Sequence, residues 1–71
     1  MQQRLINAIP EVFGSAISSY IGRSYIKNQT LFLQISSAAC RQELIVHKAQ
    51  IIATLNRAAG GQVIADIRFN G

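Results

Sequence analysis

The chain has one cysteine, one proline, no tryptophan, one histidine and three acidic residues among its 71 positions. Each scarcity excludes something. A lone Cys40 leaves no partner for an intramolecular disulfide, and one cysteine with one histidine falls short of the four ligands of a structural zinc site. A reducing, cytoplasmic setting is therefore expected, with no metal and no cofactor. The uncharged stretch Val12 to Gly22 is too short to span a bilayer and is rich in serine. The first residues carry no basic segment followed by an apolar core, so neither export nor membrane insertion is expected. No glycine-rich phosphate loop or nucleotide fingerprint is present, which argues against use of ATP. His47 and the scattered serines invite a triad with Asp66, but such a constellation also needs a pocket that a chain this small rarely supplies. The expectation is a protein that is not an enzyme. Cys40 reads as a small core residue and His47 as a surface residue.

What is present in quantity is apolar. Hydrophobic residues make up 49% and charged residues 14%, the balance of a folded domain rather than a disordered tail. Residues 1–71 fit one domain, and a chain of this size buries only roughly 60% of its unfolded surface. Seven lysines and arginines against three acids give a net charge of +4 and a pI near 10.0, which suits an anionic partner. Arg4, Arg23, Lys27, Arg41, Lys48, Arg57 and Arg68 are spread with no run of three, so any basic surface must be assembled by the fold.

Periodicity gives the elements. Pro10 fits the first position of a helix whose stripe is Val12, Phe13, Ala16, Ile17, Tyr20 and Ile21, with Arg4 to Ala8 forming a further turn or two and Gly22 a C-terminal stop. Gly14 inside that helix predicts close approach of another backbone. Arg23 to Lys27 and Thr30 to Ile35 read as strands joined by a tight turn at Asn28-Gln29. Leu31, Leu33 and Ile35 mark the core side of the second. A long helix from Ser37 to Ala59 follows, capped by Ser36 or Ser37 and stopped at Gly60-Gly61. Its apolar arc holds Cys40, Leu44, Ile45, Ile51, Ile52, Leu55 and Ala58. Lys48 and Arg41 intrude on that arc, where they snorkel or pair with Glu11, while Val46 lies on the polar side as a candidate partner contact. The closing strand, Val63 to Phe69, turns Val63, Ala65, Ile67 and Phe69 to one face and Ile64, Asp66 and Arg68 to the other. Ile64 is thereby a second candidate partner contact. The order α-β-β-α-β, with a helical crossover before the last strand, predicts an α+β fold in which two helices pack on one face of a small three-stranded mixed sheet.

Strict alternation places Arg23, Tyr25, Lys27, Phe32 and Arg68 on the sheet side away from the helices. Three uses are open to that face: it binds nucleic acid, it is buried in a homodimer, or it is simply solvated. In the first case the cations attract phosphates and the two rings stack bases.

Three segments carry a resemblance. AIPEVFG at Ala8 to Gly14, LFLQISSAACRQEL at Leu31 to Leu44 and LNRAAGGQVIADIRF at Leu55 to Phe69 resemble, in order and spacing, the DciA family of bacterial proteins that operate on the replicative helicase. Ile9 stands where that family often has tryptophan. The resemblance implies a KH-like fold, DNA binding, whether single-stranded or duplex, and the replicative helicase as partner. A KH domain proper clamps nucleic acid with a Gly-x-x-Gly loop between two helices, and this sequence has no such loop. Two functions follow: a DNA-binding helicase accessory module, or a protein-interaction module that dimerises or docks on a partner with its charge incidental.

Overall fold

The computed structural model describes residues 2–70, in the order α1 (Gln2–Ser18), β1 (Ile21–Lys27), β2 (Thr30–Ile35), α2 (Ala38–Val46), α3 (Lys48–Ala59) and β3 (Asp66–Asn70). The fold is α+β. Its sheet runs β1-β2-β3, with β1 and β2 antiparallel and β2 and β3 parallel, as the hairpin and the helical crossover require.

Asn28 and Gln29 both take positive φ, 52° and 60°, so the two-residue turn twists with its strands although neither residue is glycine. The inner side of β2, Leu31, Leu33 and Ile35, is fully buried. Around it pack Leu5 and Ile9 of α1, Leu44 of α2, Ile51, Leu55 and Ala59 of α3, and Ile67 of β3. Each such leucine or isoleucine stabilises the fold by about 1.5–3 kcal/mol through its removal from water. Ile9 is itself a core position, 4% exposed.

The first helix differs from the expectation in three respects, although the turns expected at Arg4 to Ala8 do form and run on through Pro10, because Leu5, Ala8 and Ile9 are buried and hold them against the core. That packing offsets the roughly 3 kcal/mol that an internal proline costs. Gly14 is needed for its backbone, at φ 81° and ψ 166°, where α1 kinks; nothing lies within 4 Å of the place a Cβ would occupy, so no second backbone approaches it. The helix ends at Ser18, so Tyr20 and Ile21 leave it. Gly22 is not its stop but part of β1.

The predicted helix from Ser37 to Ala59 is two helices. Ser37 caps α2 by accepting the Cys40 N–H (3.2 Å), and Gly60 ends α3 in the left-handed conformation, φ 85°. Between them α2 stops at His47, φ −102° and ψ 19°, whose carbonyl accepts the Ile51 N–H (3.0 Å) of α3. No glycine or proline sits at this break. The residue after it is held by a long-range contact instead, Lys48 Nζ meeting Asp66 Oδ1 at 2.9 Å, while Arg41 Nη1 of α2 donates to the nearby Ile35 carbonyl (3.0 Å). Glu11 is partner to neither. The break also turns Ile45 out of the core, to 45% exposure, beside Val46 at 70%.

The last strand starts at Asp66, three residues later than predicted, and the segment before it is a loop held by the Asn56 side chain and by the Gln29 carbonyl, which accepts the Ala65 N–H (2.7 Å). Asn56 Oδ1 accepts the N–H groups of Val63 (2.9 Å) and Ile64 (3.0 Å), while its Nδ2 donates to the Ile64 carbonyl (2.8 Å). Freed from strand alternation, Ile64 turns inward and is fully buried. It is a core residue and not a partner contact.

Candidate nucleic-acid interface

The side of the sheet away from the core is ordered in rows across the strands. Tyr25 pairs with Phe32 and Phe32 with Arg68; Lys27 pairs with Thr30 and Thr30 with Asp66; Gln34 pairs with Asn70. All five residues singled out from alternation, Arg23, Tyr25, Lys27, Phe32 and Arg68, lie on this one face. The Tyr25 and Phe32 rings stack with centroids 4.8 Å apart and planes 13° from parallel, and Tyr25 is half exposed. Such a pair contributes about 0.5–1.5 kcal/mol beyond its buried area and fixes the rings as a flat block.

Shallow hollows flank the block. One, of about 400 Å³, is lined by Lys27, Asn28, Thr30, Phe32, Arg68 and Asn70. The other, of about 160 Å³, is lined by Arg23, Tyr25, Phe32, Gln34 and Asn70. Asn28, Asn70 and Gln34 were not singled out from the sequence. The turn position of Asn28 and the outward register of Gln34 were the signals that could have found two of them.

Arg23 reaches this face through an irregularity in β1. The register passes from Ile21 opposite Ile35 to Ser24 opposite Leu33, so Gly22 and Arg23 together face Gln34. The extra residue reverses the alternation: Ile21 stays against the core while Arg23, Tyr25 and Lys27 face out. A Cβ at Gly22 would lie 2.8 Å from Gln34 Oε1, so glycine keeps this crossing open, and the same oxygen accepts the Arg23 N–H (3.4 Å).

Asp66 is the acid of the row that begins at Lys27. Lys48 binds it at 2.9 Å from the helix layer, whereas Arg68 Nε stands 4.0 Å from its other oxygen, leaving the Arg68 guanidinium loosely held and largely exposed. The Lys48 hydrogen bond and then the Ile67 N–H, helped by the charges of Lys48 and Arg68, hold the Asp66 carboxyl below its ordinary range against opposing desolvation. A carboxyl depressed in the folded state contributes stability above its unfolded pKa of about 4 and loses it as pH falls through the lower folded value. Thermal unfolding of Asp66→Asn against the parent chain should therefore show a gap at pH 7 that closes below about pH 4. A gap independent of pH would remove the ion pair from this account.

Elsewhere, His47 Nε2 lies 3.8 Å from Glu43 Oε1 on the exposed side of the helix layer. Among the described residues no group of three metal-ligating side chains forms, and no helix is long and apolar enough to cross a membrane. The two helices that meet at His47 do so directly, without the glycine-flanked loop that a KH domain carries between its helices.

Compared with family profiles, residues 1–69 match one described as "Dna[CI] antecedent, DciA". The chain belongs to the DciA family. That family is linked to helicase loading in bacterial replication. Within the matched residues, Leu55-Asn56 and Gly60-Gly61 have a structural meaning, since Asn56 staples the loop that leads into β3 and Gly60 ends the helix before it. Comparison with curated proteins and with solved structures found no match.

Proposed function

We propose that this DciA-family chain is a non-enzymatic accessory module that holds nucleic acid on the outer face of its sheet as part of a role with the replicative helicase. The observation that carries the reading is the stacked Tyr25–Phe32 block with Arg23, Lys27 and Arg68 around it. Aromatic faces take unpaired bases, and cations beside them take phosphates without reading sequence. The lack of a Gly-x-x-Gly loop moves this task from the helices to the sheet. Three phosphate contacts on a single strand give a log-log salt slope of about −2, or roughly a twentyfold loss of affinity between 50 and 200 mM salt. Titration of labelled single-stranded and duplex DNA at two salt concentrations, with the mass in solution followed in parallel, tests this. A dimer indifferent to salt that binds no DNA would overturn it.

A second reading rests on a separate observation. Ile45 and Val46 form an exposed apolar pair at the end of α2, on the helix layer rather than the sheet. This pair is the candidate contact for a protein partner, the replicative helicase or a second copy of the chain. It is compatible with the first reading because the two surfaces do not overlap.

A further inference from the structure

The outer face continues past the five residues discussed so far. A third hollow, of about 450 Å³, is lined by Ser19, Tyr20, Ile21, Gly22, Gln34 and Ser36. It shares Gln34 with the hollow beside Tyr25, as that one shares Phe32 and Asn70 with the hollow at Arg68. The three are thus contiguous along β2, whose outward residues Thr30, Phe32 and Gln34, followed by Ser36, form the floor. Tyr20, 44% exposed, is fixed at the far end because its carbonyl accepts both the Ser36 N–H (2.9 Å) and the Ser36 hydroxyl (3.3 Å). This places Tyr20 opposite Ser36 as the next row of the same face.

We propose that these hollows form one continuous track for a single nucleic-acid strand, and that Tyr20 is its third stacking residue. The proposal rests on the nucleic-acid reading of the sheet face and extends it in length and in residue. Successive outward rows along a strand are about 6.6 Å apart. A nucleotide in a stacked helix rises about 3.4 Å, so a strand that places one nucleotide on each row must be drawn out to about twice its stacked length. Only unpaired, unstacked bases can follow that spacing, and each then needs a new stacking partner. Tyr25 and Phe32 supply partners in the middle and Tyr20 at the end. Arg23 lies between Tyr20 and Tyr25, Arg68 beside Phe32 and Lys27 at the other end, so the first two hollows carry positive charge, with Asp66 of the Lys27 row taken up by Lys48, while the Tyr20 end is uncharged.

The test compares a labelled thymidine dinucleotide with a labelled hexanucleotide on the folded full chain at low salt, measuring binding by fluorescence anisotropy and mass by light scattering. Tyr20→Ala should lower hexanucleotide affinity about tenfold and leave dinucleotide affinity unchanged, since one stacking partner is removed from one end. Tyr20→Phe should restore the hexanucleotide value, because the ring and not the hydroxyl is the contact. Unchanged hexanucleotide affinity in Tyr20→Ala would overturn the track while leaving the Tyr25–Phe32 platform standing. An equal loss for both lengths, or a change in mass in place of a change in affinity, would also overturn it, the latter assigning the face to a second copy of the chain. Failure of the parent chain to bind either oligomer would bring down the platform reading and the track together.

Discussion

Replacing Tyr25 and Phe32 together by alanine should lower affinity for single-stranded oligonucleotide roughly thirtyfold to a thousandfold, from a loss of about 2–4 kcal/mol in stacking. The upper end lies below a simple doubling of the per-base value because the two rings stack on one another at 4.8 Å and act as one block. Phe32 is half-buried, so truncation also removes apolar cover from the sheet. The companion variant Tyr25→Leu with Phe32→Leu keeps that cover and removes only the aromatic faces. It should show most of the same loss with little change in melting temperature. Val46→Ala, on the helix layer, should leave oligonucleotide affinity where it is. Fluorescence anisotropy on proteins matched by circular dichroism decides the matter, and unchanged affinity in both double variants would assign the sheet face to another use.

Asn56→Ala should be the most damaging substitution of a polar residue. It removes three hydrogen bonds and leaves two N–H groups and a carbonyl of the Val63–Ile64 segment to find other partners. A loss of about 3 kcal/mol is expected from three such bonds. That is a large part of the total of roughly 4–10 kcal/mol for a domain of this length. The melting temperature should fall by roughly 12–24 °C. The consequence reaches the outer face, because the loop that Asn56 staples buries Ile64 and delivers Asp66, Ile67 and Arg68 into register with Thr30, Leu31 and Phe32. Calorimetry on Asn56→Ala and Asn56→Asp separates the contributions. The aspartate keeps the acceptor for Val63 and Ile64 but opposes the Ile64 carbonyl with a second oxygen. A loss below about 1 kcal/mol in the alanine variant would mean that the loop is held by the burial of Ile64 and the Ala65 N–H bond to the Gln29 carbonyl (2.7 Å) without Asn56.

Most of the fold was legible in the chain because it is written in local geometry. Successive residues of an extended strand point to opposite sides whatever surrounds them, so alternation placed Tyr25, Lys27, Phe32 and Arg68 on one face and Leu31, Leu33 and Ile35 on the other. Ser37 as a helix cap and Gly60 as a helix stop are likewise short-range facts, satisfied by backbone groups within a few residues. The order of segments, with the sequence around Asn56 and the paired glycines, was enough for the family.

The misplacements share a cause. The break at His47, the burial of Ile64, the pairing of Lys48 with Asp66 and the unfilled space around Gly14 all depend on groups distant in sequence or on a backbone angle that no periodicity reports. Tyr20 was assigned to a helical stripe because its spacing fits one, and only the kink at Gly14 and the end of α1 at Ser18 release it onto the sheet face. Arg23 reached its expected place by a route the sequence does not show, since the doubled residues opposite Gln34 let Ile21 and Arg23 face opposite ways.

The sequence by itself thus determined the strands, their faces and the basic aromatic set, because side-chain direction along a strand is fixed by covalent geometry. The tertiary structure alone decided where the long helix divides, which isoleucine is core, how Asp66 is held and how far the outer face extends. Those outcomes are set by competition for burial and for charge partners among residues that meet only once the chain has folded.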